Sequence, residues 1–170
     1  MGTPILAGCN WITRPASKYI AFHLQKYYKL FDTIVTDQLD VLRFIETVEL
    51  PAGCELSTID VVSLYTNIPL DHFMEVIKKL FEDHPIPEAE LLLDLLHFVL
   101  YNNLLQFDGT TYIQIFGFAM GTSFAPIGAN IYLAILEVDL KKLYQSDPSL
   151  SWPNFYENIL MMVLGLHFLL

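Results

Sequence analysis

A single acid set inside an apolar run is the first sign of chemistry in this chain. Residues 57–70 read STIDVVSLYTNIPL, and Asp60 interrupts a β-prone segment over 58–62. A central strand tolerates a carboxylate badly unless a cation or hydrogen bonds compensate it. Tyr65 follows five residues later, and Asn67 and Pro69 break the pattern into a turn or a helix start. An acid near the end of a buried strand, followed by an aromatic ring, suits a site for a hard divalent cation. The same residues also fit an edge strand whose Asp60 points to water.

A second stretch lies well downstream. Residues 117–137 read GFAMGTSFAPIGANIYLAILE. Together the two stretches resemble the reverse transcriptase domain of Penelope-like retroelements. The catalytic-aspartate motif of that family reads much like D-V-x-S-L-Y-T-N-I-P. Its following motif reads much like G-x-A-M-G-T-x-x-A-P-x-x-A-N-x-Y and ends in L-E. The resemblance covers almost the whole chain, from Thr3-Pro4-Ile5 onwards.

The resemblance implies an α+β fold: a polymerase palm with partial fingers, its antiparallel sheet flanked by helices, in one domain over residues 1–170. It implies RNA-templated DNA polymerisation by nucleotidyl transfer with two metal ions, Mg2+ or Mn2+, about 3.5–4 Å apart. The partners would be an RNA template, a DNA primer and deoxynucleoside triphosphates. Asp60 matches the first family aspartate, which contacts both ions, and the Val61 carbonyl would help to hold the second. Tyr65 matches the aromatic residue that lies under the sugar and disfavours a 2′-hydroxyl; without the motif it reads as a core tyrosine. Met120, Gly121 and Thr122 match the loop over the template and the incoming base, where Gly121 allows close backbone approach. The plain alternative is an ordinary loop leading into a helix. Ala125, Pro126 and Asn130 read as structural, and Glu137 as a residue that caps or pairs locally.

The third family motif carries a Y-x-D-D-like pair on a hairpin. The best alignment here is Phe155-Tyr156-Glu157-Asn158. Glu157 then stands at the second essential metal ligand with one extra methylene, and sites of this kind lose on the order of 10²-fold in rate for a shift of about 1 Å. Asn158 gives up a negative charge beside the ions. Thr3 stands where the family has an arginine near the incoming phosphates, and a hydroxyl does not replace that bidentate cation. The primer-gripping hairpin, the thumb and an endonuclease domain are not visible after Asn158. These departures predict impaired catalysis. The alternative is a non-catalytic relic, or a protein-interaction module derived from a retroelement polymerase, with a partner on the surface that a thumb would cover.

The elements that must position these residues are legible from spacing. Arg14-Pro15 opens a helix running to Phe31, with Ile20, Leu24, Tyr27, Tyr28 and Phe31 near helical spacing. Its lysines, Lys18, Lys26 and Lys29, fit either a template backbone or a solvated face. Residues 37–48 form a second helix with Leu39, Leu42, Ile45 and Val48 inward. Residues 51–53 turn into the 58–62 strand. Helices follow over 70–82, with Phe73, Val76, Ile77 and Leu80 inward, and over 88–102, carried by Leu91, Leu92, Leu95, Leu96 and Val99. Segments 104–107 and 111–115 flank Asp108-Gly109, a hairpin signal. A glycine-containing loop over 116–122 leads to a long helix from Pro126 to about residue 144. Its Gly128, Ala129 and Ala134 form a small-residue face suited to lying on a sheet. Residues 147–153 read as a loop and 154–163 as β-like.

Composition bounds the rest. The 170 residues suit one domain, and 54% hydrophobic residues fill a core and argue against disorder. The formal net charge is −10, nine Lys+Arg against nineteen Asp+Glu, the wrong sign for a free nucleic-acid binder. Cys9 and Cys54 lack metal-ligand spacing and read as reduced thiols, with one disulfide as the alternative. No signal peptide opens the chain, and the apolar end over 159–170 falls short of the ~20 residues a membrane span needs. The expected location is intracellular, nuclear or cytoplasmic, neither secreted nor in a membrane.

Overall fold

The computed structural model describes residues 11–35, 37–47, 61–147 and 149. Several expectations lie outside them: the opening with Thr3 and Cys9, Cys54 and the 51–53 turn, the 58–60 part of the strand with Asp60, and the 154–163 segment with Glu157 and Asn158. The described chain is mixed α+β. Its element order is α1 (Arg14–Leu24), a 3-10 helix (Gln25–Leu30), α2 (Gln38–Thr47), α3 (Leu64–Asn67), α4 (Leu70–Asp83), α5 (Ala89–Tyr101), β1 (Leu104–Phe107), β2 (Thr110–Ile113) and α6 (Ala125–Ser146). The chain divides into two compact units. Of the described residues, 11–27 and 63–132 belong to the first, and 28–35, 37–47, 61–62, 133–147 and 149 to the second.

The core of the first unit is built by helix spacing. In α4, Leu70, Phe73, Ile77, Leu80 and Phe81 are buried on one stripe, while Asp71 sits in the first turn, where a carboxylate complements the helix dipole. Burying a side chain of this size contributes about 1.5–3 kcal/mol. The inward stripe forms as its spacing predicts, except that Val76 is only half-buried at its margin. α5 packs against both α1 and α4 through Leu92, Leu96, Val99 and Leu100. Leu91, expected inside, is exposed, because the five predicted leucine and valine positions span a wider arc than two neighbouring helices cover. α1 buries Ser17, Ile20, Ala21, His23 and Leu24. The predicted single helix to Phe31 tightens into the 3-10 turn from Gln25. There the Tyr27 ring lies 5.5 Å from Phe81 and its hydroxyl donates to the His84 carbonyl at 2.8 Å.

β1 and β2 pair antiparallel, with Phe107 opposite Thr110 across Asp108-Gly109. Both turn residues have positive φ, +48° and +74°, which a two-residue hairpin of right-handed twist requires. The strands are exposed at every position but Leu105, which is half-buried.

α6 begins in the first unit with Pro126 in its first turn. Its Gly128 does not lie on a sheet as expected. A Cβ there would come within 3.2 Å of the Phe124 and Phe73 rings, so the missing side chain makes room for aromatic packing.

In the second unit the Asp37 carboxylate accepts the Leu39 N–H at 3.0 Å and caps α2. Leu39 and Leu42 are exposed rather than inward; spacing defines a helix face but not what covers it. The far half of α6 buries Ala134 and Glu137. Lys142 and Asp139 pair at 2.9 Å on the surface, worth well under ~1 kcal/mol.

Candidate functional site

The two stretches singled out in the sequence meet in the first unit. Ser63 enters the left-handed region (φ +53°) and starts the short helix α3, where Thr66 donates twice to the Ser63 carbonyl, from its N–H at 3.1 Å and its hydroxyl at 3.0 Å. That turn, with Leu64 and Ile68 buried, holds Tyr65 half-buried. The Tyr65 carbonyl accepts the Phe118 N–H at 2.6 Å. One residue earlier, Gly117 (φ +72°) lies directly on Thr66: a Cβ would stand 2.6 Å from the Thr66 Cα and carbonyl oxygen. Only glycine combines that backbone conformation with that approach.

Beyond this contact the loop is held at both ends. The Gln114 side-chain amide donates to the carbonyls of Phe116 at 2.8 Å and Gly117 at 3.2 Å. Phe118 and Ala119 are buried, the chain surfaces at Met120, Gly121, Thr122 and Ser123, and it returns to the core at Phe124. There the Phe124 N–H donates to the buried Ser17 hydroxyl at 3.0 Å. Phe118 sits 4.7 Å from Phe73 in a T-shaped contact and 5.1 Å from Phe124. Aromatic contacts of this geometry add about 0.5–1.5 kcal/mol each beyond burial.

This arrangement presents a short polar tip on a rigid base. Met120 and Thr122 are half-buried, and Gly121, at φ +98°, is exposed. The Thr122 hydroxyl donates to the Ala119 carbonyl at 3.1 Å, so toward a ligand its oxygen acts as an acceptor. The tip offers an open backbone, the hydroxyls of Thr122 and Ser123 and one adaptable thioether, which suit a flat, hydrogen-bonding group.

Of the other predicted site residues, Asp60, Glu157 and Asn158 lie outside the described residues. Val61 is half-buried in the second unit. The predicted strand does not include Val61 and Val62: Val62 lies in a turn, 80% exposed, and the left-handed Ser63 that follows ends any extended run. Among the described residues no group of three or more His, Cys, Asp or Glu could hold a metal ion.

The spacing arguments missed Ser17, Ser63, Gln114 and Gly117. Ser17 carried a signal: it falls three, four and seven positions before Ile20, Ala21 and Leu24, a hydroxyl on an apolar stripe that must find a partner.

Two further polar groupings stand apart from this loop. His72 Nδ1 lies 2.7 Å from the Tyr132 hydroxyl. Tyr101 donates to Asp71, a bond that with burial and the nearby negative charge pushes the Tyr101 pKa up to about 12. In the second unit Glu137 is 6% exposed, and burial pushes its carboxyl above the ordinary range. Thr33 faces it closely enough to oppose that rise. Even so, neither carboxyl oxygen nor the Thr33 hydroxyl has a partner at hydrogen-bond geometry among the described residues. Among the described residues Glu137 thus shows no hydrogen bond that would make it the expected cap or local pair.

No protein-family model, curated protein or solved structure matches this chain. No helix among the described residues is long and apolar enough to cross a membrane.

Proposed function

We propose that this chain is a reverse-transcriptase-like domain, a palm with partial fingers, descended from RNA-templated DNA polymerases and impaired in catalysis. The observation that carries the reading is the meeting of the two motif stretches: the Tyr65 carbonyl takes the Phe118 N–H, and Gly117 seats on Thr66. A templated polymerase needs such a junction, because the residue under the nucleotide's sugar and the loop over its base must share one frame.

On this reading Tyr65 supports the sugar, and Met120, Gly121 and Thr122 lie over the template and the incoming base. Asp60, the Val61 carbonyl and Glu157 are oxygen donors of the kind that Mg2+ or Mn2+ takes, and the ions when bound supply the charge that phosphoryl transfer requires. Glu157 reaches one methylene too far and Asn158 contributes no charge. RNA template, DNA primer and deoxynucleoside triphosphates are the proposed partners, and the inside of a cell is the proposed location. Those same two replacements favour a second reading, a non-catalytic descendant that keeps the architecture as a protein-interaction module.

Primer extension on an RNA template, with Mg2+ and then Mn2+, tests the proposal. The chain is compared with Asp60→Ala, with the double change Glu157→Asp and Asn158→Asp, and with that double change carrying Asp60→Ala. The expected result is incorporation that rises in the double variant and disappears whenever Asp60 is removed. Equal incorporation with and without Asp60 would overturn the assigned site. Silence in all four would overturn the polymerase reading in favour of the non-catalytic one.

A further inference from the structure

The geometry points to Ser17 and Gln114, both outside the two motif stretches, as the positioning residues of the 120–123 tip. The inference rests on the proposed function, because it assigns a role at that same loop. Ser17 is 1% exposed on the apolar stripe of α1, where an unpartnered hydroxyl is costly. Its oxygen takes the Phe124 N–H from 107 positions away, immediately before α6 begins. The first N–H groups of a helix have no partner within it, so Ser17 acts as a cap supplied by another helix. At the other end Gln114 is fixed by its own N–H, which donates to the Asn103 carbonyl at 2.8 Å. Its side-chain amide then ties the carbonyls of Phe116 and Gly117.

Between these ties the chain has four surface residues, the bond of Phe118 to Tyr65 and the local turn bonds of Thr122 to the Ala119 carbonyl. Releasing either tie lets the tip sample more conformers, and binding must then order it again. The consequence is a loss of affinity for what the tip contacts, separable from a loss of stability. Gln114 is half-buried, its side-chain bond to Phe116 is exposed and that to Gly117 part-buried, and truncation to alanine keeps its backbone bond to Asn103, so the aromatic core stays in place.

The test is binding of a fluorescently labelled RNA template annealed to a shorter DNA primer, in Mg2+, followed by anisotropy alongside thermal unfolding. The full chain is compared with Ser17→Ala, Ser17→Thr and Gln114→Ala. Each alanine variant is expected to bind about three- to tenfold more weakly, the range that one or two neutral hydrogen bonds represent. Ser17→Thr keeps the acceptor and is expected to recover most of the affinity. Gln114→Ala is expected to lose affinity with little change in unfolding temperature. Alanine variants that bind as the unmodified chain does, or that weaken only in step with the unfolded fraction, would overturn the positioning role. An unmodified chain that binds no primer–template would overturn the proposed function, and the positioning role with it; this outcome differs visibly from a chain that binds and variants that match it.

Discussion

Gly109 and Gly117 share a left-handed backbone, at φ +74° and +72°, and differ in everything around it. A Cβ at Gly109 would meet nothing within 4 Å, whereas one at Gly117 would strike the Thr66 backbone at 2.6 Å. The first glycine answers a local demand, a two-residue turn between strands that stand exposed, with Phe107 71% accessible. The second answers a demand imposed by a segment some fifty positions earlier in the chain. Equal torsions thus conceal unequal constraint, and only the distant constraint belongs to the candidate site.

Substitution separates the two. Gly117→Ala combines left-handed strain with a backbone clash and is expected to cost about 2–4 kcal/mol in denaturant unfolding. Gly109→Ala meets only the strain, about 1 kcal/mol, and Gly109→Asn should come within ~0.5 kcal/mol of the unmodified chain because asparagine tolerates this conformation. Equal costs for the two alanine variants would break the contrast.

Glu137 extends the contrast from shape to charge, with an expected effect between those of the two alanine variants. Glu137→Leu removes a buried carboxyl that has no hydrogen-bond partner among the described residues and should stabilise by on the order of 1–2 kcal/mol at neutral pH. Because burial raises the folded-state pKa above the ordinary 4.5, the protonated group is tolerated below that value. The folded state then loses stability as pH rises from 4.5 through the raised value. The gain from leucine should therefore be larger at pH 8 than at pH 4, and a gain independent of pH would contradict the burial argument. The smallest effect belongs to Tyr101→Phe. It deletes a surface bond to Asp71 and should cost about 0.5 kcal/mol or less near neutrality. In the unmodified chain, the stability from this tyrosine should fall only as pH climbs from 10 toward 12.

The same division explains what the sequence disclosed. α4, α5, α6 and the Asp108-Gly109 hairpin were legible because helix periodicity and turn chemistry are written in neighbouring residues. The exposure of Leu39, Leu42 and Leu91 was not, since spacing names a face without naming its cover. The absence of Val61 and Val62 from the predicted strand was not legible either, since it goes with Ser63, a left-handed serine that no propensity marks. Tyr65, Met120, Gly121 and Thr122 were singled out through motif resemblance alone. The bonds that join their segments, from Phe118 to Tyr65 and from Phe124 to Ser17, depend on the folded arrangement of distant backbone. The burial of Glu137 was hidden for the same reason.

The central claim is that the two motif stretches share one frame through the Phe118–Tyr65 hydrogen bond. The most direct measurement is the through-hydrogen-bond scalar coupling between the Phe118 nitrogen and the Tyr65 carbonyl carbon, in protein labelled with 15N and 13C. The account predicts a resolved cross-peak, as expected of a bond as short as 2.6 Å, that weakens in Gly117→Ala. No cross-peak, in a sample where the couplings within α4 are seen, would contradict it.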